Sequence, residues 1–264
     1  MTLEPVILIT LKGTKNFLIA IEGVLVSGDQ IIPGADLFIK RLHKRGSKFL
    51  LLTNNSRRTP DENAQYLQNL GLAVEADNIY TSSMATARYL RTQKPQGSAY
   101  VIGEHGLLAA LQEAGYQIND QEPDYVVLGG SDQHSFDEIS TAVNLILGGA
   151  RFICTNPDKA GHSQGRLVPA TGAMAAMITA ATGIEPFFIG KPNPFMTRSA
   201  LNFLGVHSED TVMLGDNMET DIIAGIESGM QTILVLSGDT QLEAVSRYAY
   251  MPTYIVHSVA DVKP

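Results

Sequence analysis

The chain alternates short apolar runs with amphipathic helical patterns along its whole length, and no other feature restricts its fold as strongly. A strand that is buried on both faces reads as a continuous apolar run, and the helices that connect such strands cover both faces of a parallel sheet. Phe17 to Ile21 and Lys48 to Leu52 are runs of this kind, and the helical pattern between them ends at Gly46. The alternation therefore predicts an α/β protein with parallel sheets.

The same alternation restarts at about residue 78 and continues to about residue 184. It predicts three further strands, at Ala99 to Ile102, Tyr125 to Leu128 and Phe152 to Cys154. No proline-rich or charged linker sets this stretch apart, which favours an insertion over two domains in tandem. We therefore expect a core domain of residues 1–77 and 185–264 and an inserted α/β domain of residues 78–184.

Composition excludes several classes of function. The 264 residues are 44% hydrophobic, which is enough for a large buried core. The formal net charge is −8 and no run of Lys or Arg stands out, so we expect no binding of nucleic acid. The six histidines are scattered without metal-ligand spacing. Composition therefore predicts a globular protein that does not bind nucleic acid.

The N-terminal region and the cysteine content bear on location. The apolar run Val6 to Leu11 follows Glu4 and is far shorter than a membrane span, so we expect neither a signal peptide nor a membrane anchor. Residues 1–15 are expected to form either an extra strand or a loose extension. Cys154 is the single cysteine and fits a reducing compartment. We therefore predict a cytoplasmic protein that does not bind membranes.

Two further strands are predicted at Phe187 to Ile189 and Thr211 to Leu214, and polar residues follow these two and the strands at Phe17 to Ile21 and Lys48 to Leu52. In an open parallel sheet, ligands bind outside the carboxyl ends of the strands. The residues there supply a hydroxyl, an amide, one cation and two or three carboxylates, a set that suits a phosphate ester beside a divalent metal such as Mg²⁺. The four segments are Glu22-Gly23, Thr53-Asn54, Gly190-Lys191-Pro192, and Gly215-Asp216 with Asp221.

Together with further motifs, these segments resemble the haloacid dehalogenase-like superfamily. The resemblance runs from about Lys15 to the C-terminus and is to the class IIA subfamily, the ribonucleotide monophosphatase and 4-nitrophenyl phosphatase-like group with a large inserted cap. It implies a Rossmann-like parallel-sheet core with an inserted α/β cap domain. The motifs are Leu52-Thr53-Asn54-Asn55, Tyr80-Thr81-Ser82, Ala150-Arg151-Phe152, Thr155-Asn156-Pro157-Asp158, Gly190-Lys191-Pro192 and Gly215-Asp216-Asn217 through Thr220-Asp221.

The resemblance also implies roles for individual residues. Thr53 and Lys191 would be catalytic residues that bind the phosphate. Asp216 and Asp221, together with the backbone carbonyl of Glu22, would hold Mg²⁺, with Asp221 acting either as a ligand or through its neighbours.

Further residues would bind the substrate. Asn54 would do so next to Thr53, and Thr155, Asn156 and Asp158 would lie near the leaving group in the cap. Because members of this subclass often dimerise through the cap, a homodimer is also expected.

The chain departs from the family pattern at its first motif. The family has Asp-x-Asp-Gly after the first strand, where this chain has Ala20-Ile21-Glu22-Gly23. An alanine methyl group can neither form an aspartyl-phosphate nor bind Mg²⁺. Glu22 is one methylene longer than the aspartate that serves as general acid and base, and such a displacement matters in a catalytic site. We expect weakened Mg²⁺ binding and a loss of turnover on the order of 10⁴ to 10⁶.

Two functions remain open at this stage, and it is uncertain whether the chain is an enzyme. The first is a phosphatase-like pseudoenzyme that has lost or nearly lost hydrolysis and binds a phosphorylated metabolite, phosphate itself or a partner. The alternative is an active Mg²⁺-dependent hydrolase of small nucleotide or sugar phosphates that uses a modified mechanism. A purely structural relic of the site also remains open. A dehydrogenase or P-loop NTPase is not favoured, because no Gly-x-Gly-x-x-Gly or Gly-x-x-x-x-Gly-Lys-Ser/Thr motif is present.

Overall fold

The computed structural model describes residues 8–13, 15–163 and 166–264. The chain divides into two compact units. Unit 1 comprises Met1–Thr53, Asp61–Tyr80 and Met196–Pro264, and unit 2 comprises Asn54–Pro60 and Thr81–Phe195. Both are built on mainly parallel sheets with helices, which confirms the predicted α/β, Rossmann-like class.

The described strands are mostly two to five residues long. They are β1 (Ile9–Thr10), β2 (Asn16–Ala20), β3 (Val26–Ser27), β4 (Gln30–Ile31), β5 (Phe49–Thr53), β6 (Ile79–Thr81), β7 (Ser98–Ile102), β8 (Gln117–Ile118), β9 (Tyr125–Leu128), β10 (Arg151–Cys154), β11 (Ala160–Ser163), β12 (Arg166–Pro169), β13 (Phe187–Phe188), β14 (Thr211–Gly215), β15 (Gln231–Val235), β16 (Tyr254–Val256) and β17 (Val262–Lys263).

The described α-helices connect these strands. They are α1 (Ala35–Arg45), α2 (Pro60–Asn69), α3 (Ser82–Gln93), α4 (His105–Glu113), α5 (Phe136–Leu147), α6 (Thr171–Thr182), α7 (Pro194–Leu204), α8 (Ile223–Glu227) and α9 (Leu242–Val245). Shorter helical turns lie at Ala76–Asn78, Ser208–Asp210 and Val259–Asp261, and a π-helical turn covers Met218–Ile222. None of the helices in the described ranges is long and apolar enough to cross a membrane.

Unit 1 contains a six-stranded sheet in the order β16-β15-β14-β2-β5-β6. The pairings from β16 through β5 are all parallel. The chain passes from β2 to β5 on one side and later returns with β14 on the other side of β2. This reversal of strand order is a topological switch point, and in such sheets the ligand site lies at the carboxyl ends of the strands on either side of it.

The core of unit 1 forms because β2 and β5 are continuous apolar runs. Phe17 and Ile19 of β2 are fully buried, as is Leu51 of β5. Helix α1 covers them with Phe38, whose ring meets the Phe17 ring edge-on at a centroid distance of 5.6 Å. The helix ends at Gly46, which has a φ of 66° and takes the left-handed conformation that glycine adopts most easily.

Unit 2 contains a second parallel sheet in the order β13-β10-β9-β7-β8. Strands β11 and β12 form a separate antiparallel hairpin. Helix α5 begins with a capping box in which Ser135 Oγ accepts the Glu138 N–H at 3.0 Å and Glu138 Oε2 accepts the Ser135 N–H at 2.8 Å. Its buried face packs against the sheet core around Val126 and Phe152.

Two predictions concern residues 1–15 and the boundary of the inserted domain at 184/185. For residues 1–15, Ile9–Thr10 form a strand that pairs in parallel with β17, whereas residues 1–7 and 14 lie outside the described ranges. The predicted boundary at 184/185 falls before β13, although β13 pairs with β10 of unit 2. The assignment of residues 78–184 as an inserted cap domain stays a prediction.

Candidate functional site

The predicted site residues fall into two sets, one in each unit. The set in unit 1 consists of Ala20, Glu22, Thr53, Asp216 and Asp221. The set in unit 2 consists of Asn54, Thr155, Asn156, Asp158 and Lys191. The division passes between the consecutive residues Thr53 and Asn54.

The register of the unit 1 sheet brings three of its site positions to one edge. Ala20 ends β2 and pairs with Leu52, so Thr53 lies one residue beyond it on β5. Leu214 pairs with Ile19, which places Asp216 just past the end of β14. Neighbouring strands are separated by about 4.8 Å, so Thr53 and Asp216, on the two strands that flank β2, are about 10 Å apart at their Cα atoms. A single small ligand can span this distance.

Position 20 contributes no polar group to this edge. Ala20 is only 3% exposed and belongs to the hydrophobic core of unit 1. The chain then makes a tight loop, in which the Gly23 N–H donates to the Val26 carbonyl oxygen at 2.9 Å. Glu22 is exposed in this loop. The end of β2, which lies between β5 and β14, therefore carries only the methyl group of Ala20.

The side chain of Asp216 is held between two glycines. Its Oδ2 accepts the backbone N–H of Asp239 at 2.9 Å. The backbone carbonyl oxygen of Asp216 accepts the N–H of Thr240 at 3.1 Å. A Cβ built on either Gly23 or Gly238 would overlap the Asp216 carboxylate. Asp216 is 7% exposed, so its carboxylate is nearly buried in this packing.

Asp221 stabilises the loop that carries Asp216. Its Oδ2 accepts the backbone N–H groups of Asp216 and Asn217, each at 3.2 Å, and the residue is 1% exposed. A Cβ on Gly215 would overlap the Asp221 side chain, so the close packing requires glycine there. The role of Asp221 at a metal site stays a prediction.

The unit 1 set contains the oxygen groups predicted to hold Mg²⁺, which are the carboxylates of Asp216 and Asp221 and the backbone carbonyl of Glu22. Among the described residues, no group of three or more His, Cys, Asp or Glu side chains is placed to hold a metal ion. Asp216 and Asp221 each use one carboxylate oxygen to accept loop N–H groups, and Ala20 adds no oxygen. Mg²⁺ requires near-octahedral oxygen coordination, so water and a bound phosphate would have to supply the remaining ligands.

The set in unit 2 is organised by Asn54. Its Oδ1 accepts the Lys191 N–H at 2.7 Å, and its Nδ2 donates to the Lys191 carbonyl oxygen and to Asp158 Oδ1, both at 3.0 Å. Asn54 is 8% exposed and Lys191 is 6% exposed. The structure thus brings together Asn54, Asp158 and Lys191, which are far apart in the sequence.

Thr155 and Asn156 follow the end of β10 and complete this network. The Asn156 Nδ2 donates to the Asn54 carbonyl oxygen at 2.8 Å, and the Thr155 Oγ1 donates to the Ser56 Oγ at 3.2 Å. The Gly190 N–H donates to the Thr155 carbonyl oxygen at 2.8 Å. Both side chains are buried, so they support the segments around them more than they face solvent.

Two groups of residues that contact the predicted site residues were not predicted from the sequence. The segment Gly238-Asp239, which follows β15, contacts the Asp216 carboxylate. The rule of polar residues after a strand would have found it, because it lies just beyond the apolar run Thr232 to Leu236. Ser56 could not be found in this way, since its bonds to Gly130 and Thr155 depend on how the loop after β5 folds.

Comparisons with known proteins agree with this architecture. A family model described as haloacid dehalogenase-like hydrolase matches residues 17–117, and a second, HAD-hydrolase-like model matches residues 188–262. The chain is 50% identical to the dihydroxyacetone phosphatase of Corynebacterium glutamicum, over 94% of this chain and 90% of that protein. It is 41% identical to the ribonucleotide monophosphatase NagD of Escherichia coli K12, over 94% and 98% of the two chains.

Structural similarity points to the same group. The solved structure of NagD from E. coli K-12 matches with a TM-score of 0.89 and 40% identity, over 95% of this chain and 98% of that one. The matches cover nearly the full length of both proteins, as expected for relatives that share both units. The chain therefore belongs to the haloacid dehalogenase-like hydrolase family, within the class IIA group that includes NagD.

Proposed function

We propose that the chain binds small phosphorylated metabolites, or phosphate itself, and hydrolyses phosphate esters far more slowly than a phosphatase with aspartate at position 20. The observation that carries this proposal is the buried Ala20 at the end of β2, beside the switch point of the unit 1 sheet. In the family pattern this position holds the nucleophile. A methyl group cannot attack phosphorus, so the covalent route is closed.

The remaining residues suit an anion more than a neutral ligand. Thr53 offers a hydroxyl at the same sheet edge, and Lys191 offers an ammonium group on a backbone that Asn54 fixes. Phosphate recognition needs hydrogen-bond donors and positive charge around the phosphate oxygens. In this proposal, Lys191 holds the phosphate in unit 2, and Thr155, Asn156 and Asp158 of the same unit shape the surroundings of the leaving group.

Binding and turnover must be measured separately to test this proposal. Titration calorimetry with inorganic phosphate and with a panel of nucleotide and sugar phosphates measures affinity. Phosphate release from the same panel, with Mg²⁺, Mn²⁺ or Co²⁺, measures turnover. We expect binding with turnover far below that of an ordinary enzyme. A protein that binds neither phosphate nor any ester would instead support the structural relic.

The second candidate is an active phosphatase, and the names of the relatives support it. Both curated relatives described above are phosphatases, at 50% and 41% identity. An active form would need Glu22 or an activated water in place of the aspartyl nucleophile. A turnover number near about 1 s⁻¹ on any ester, which is ordinary for an enzyme, would decide in favour of this candidate.

Three further properties belong to the same proposal. Mg²⁺ binding is weakened, because Ala20 removes one carboxylate from the expected set. The protein is a homodimer joined through the predicted cap, which light scattering at micromolar concentration tests against a monomer of 28.5 kDa. It resides in the cytoplasm, a location that the single buried cysteine supports.

A further inference from the structure

The carboxamide of Asn54 connects Lys191 to Asp158. It accepts one hydrogen bond from the Lys191 backbone and donates two, to the Lys191 carbonyl oxygen and to Asp158 Oδ1. Both of its N–H donors are therefore used within the protein, and the residue is almost fully buried. The side chain has little capacity left for direct contact with a ligand.

The orientation of this carboxamide is fixed from several sides. The Asn54 carbonyl oxygen accepts hydrogen bonds from Ser82 Oγ at 2.7 Å and from Asn156 Nδ2 at 2.8 Å. A Cβ on Gly190 would lie 2.6 Å from Asn54 Oδ1, so the Gly190 backbone packs directly against the amide. A flipped carboxamide would face its NH₂ group toward the Lys191 N–H, donor against donor. The observed orientation is thus the one that satisfies all three partners.

This inference rests on the proposed function, in which Lys191 binds the phosphate and Asp158 lies near the leaving group. We propose that Asn54 is a positioning residue that couples these two ends of the ligand site. The carboxamide of Asn54 bonds to the backbone of Lys191 and to the carboxylate of Asp158. A change at Asp158 is therefore transmitted through Asn54 to the placement of Lys191.

The coupling has a physical basis in the buried network. Hydrogen bonds that are connected in series polarise one another, and each is stronger in a low-dielectric interior than in water. Loss of the Asp158 bond leaves one Asn54 N–H without that partner, which costs free energy and favours reorientation of the amide. The Lys191 backbone then loses its fixed acceptor, and a displacement of about 1 Å is enough to weaken a positioned contact.

A double-mutant cycle tests this inference. We compare the full-length wild type with Asn54→Ala, Asp158→Ala and the double variant, and measure the affinity for inorganic phosphate by titration calorimetry. The removal of the Asp158 charge has the same direct effect with either residue at position 54, so it cancels in the cycle. We expect Asp158→Ala to weaken phosphate binding at least about threefold more when Asn54 is present than in the Asn54→Ala background.

A second readout follows the Lys191 backbone without any ligand. Hydrogen exchange of the Lys191 amide should be faster in Asn54→Ala, and also in Asp158→Ala, where Asn54 itself is unchanged. Ser135→Ala, which removes a helix cap elsewhere in unit 2, serves as a control and should leave both phosphate affinity and Lys191 exchange unchanged.

The outcomes separate this inference from the proposed function. Equal effects of Asp158→Ala in both backgrounds, in a wild type that binds phosphate, would overturn the coupling. A wild type that binds no phosphate would remove the proposed function. In that case the exchange rates decide alone: faster Lys191 exchange in Asp158→Ala supports the coupling, and unchanged exchange overturns it.

Discussion

Gly23 lies directly against the carboxylate of Asp216, so that a side chain at position 23 would occupy the space of Asp216 Oδ2. The loop after β2 and the loop after β14 thus fit together only with glycine at position 23. Gly23 also has a φ of 72°, which disfavours other residues for a separate reason.

Gly23→Ala should therefore destabilise the protein by about 2–4 kcal/mol, from backbone strain together with overlap against Asp216. Gly28→Ala is the matched control, because Gly28 has a φ of 56° but open space around its Cα. It should cost only about 1–2 kcal/mol, from strain alone. Urea unfolding measures both losses, and equal losses would contradict the steric role of Asp216.

Restoring the family residues at the first motif should restore chemistry. The double variant Ala20→Asp with Glu22→Asp supplies the nucleophile and a shorter acid at the end of β2. We expect Mg²⁺-dependent hydrolysis of 4-nitrophenyl phosphate to rise at least about a hundredfold over the parent. Ala20→Asp alone should recover less, because Glu22 would still be a poorly placed acid.

The same double variant has a stability signature. A new carboxylate near Asp216 should lower stability without metal through repulsion, and Mg²⁺ should reverse that loss by binding the folded state. Thermal unfolding with and without Mg²⁺ measures both effects. A double variant that folds and binds Mg²⁺ but remains inactive would show that the rest of the site has changed as well.

Arg57 should stabilise the loop that follows Asn54 more than an exposed ion pair could. Its Nε lies 3.0 Å from Glu104 Oε1 and its Nη1 lies 2.8 Å from Asp132 Oδ1, and the guanidinium is about one-third exposed. Arg57→Lys loses this forked geometry and should cost about 1–2 kcal/mol. Lys40→Ala, which breaks the exposed pair with Asp36, should stay within about 0.5 kcal/mol. Denaturant unfolding of each variant against the parent provides the comparison, and equal losses would argue against a special role for Arg57.

Tyr116 should make stability depend on pH in alkaline solution. Its hydroxyl oxygen lies 2.7 Å from the Leu90 carbonyl oxygen and 2.6 Å from the Lys94 carbonyl oxygen, which share its single proton, and burial raises the pKa of Tyr116 to about 12. In the unfolded chain a tyrosine ionises near about 10. The neutral phenol therefore contributes its full stability below pH 10 and loses it as the pH rises from about 10 to 12.

Tyr116→Phe removes this dependence. Between pH 9 and pH 11 the wild type should lose about 1 kcal/mol more stability than the variant, as measured by urea unfolding at each pH. The variant should be the less stable protein at pH 9, since it lacks the hydroxyl that donates to these carbonyl oxygens. Identical slopes for the two proteins would mean that Tyr116 ionises as easily when folded as when unfolded.

The sequence was most informative about strands that are buried on both faces. Tyr125–Leu128 was predicted with its observed bounds, and Phe17 to Ile21 was displaced by one residue from β2. Such strands are buried on both faces, so their apolar runs carry the full signal. The polar residues after β2, β5 and β14 were likewise predicted to share one sheet edge, and the register places them there. Lys191 was predicted at the same edge, but it follows β13, which pairs with β10 in the sheet of unit 2.

Features that depend on distant contacts were not predictable in the same way. The π-helical turn Met218–Ile222 is one such feature, because Asp221 within it accepts backbone N–H groups of the preceding loop. β13 was separated from its partner β10 because two phenylalanines carry no information about which sheet they join. The role of Asn54 was also hidden, since its partners Asp158 and Lys191 lie 104 and 137 residues away.

The pairing of β2 with β14 has a consequence for the order in which the protein folds as it is synthesised. Leu18 pairs with Met213, so the central strands of unit 1 cannot join until nearly the whole chain has left the ribosome. The sheet of unit 2 is encoded without interruption between Ser98 and Phe188 and is available for folding first. Until β14 has been synthesised, β2 therefore lacks its partner on that side, and it presents an unpaired apolar edge of the kind that favours aggregation.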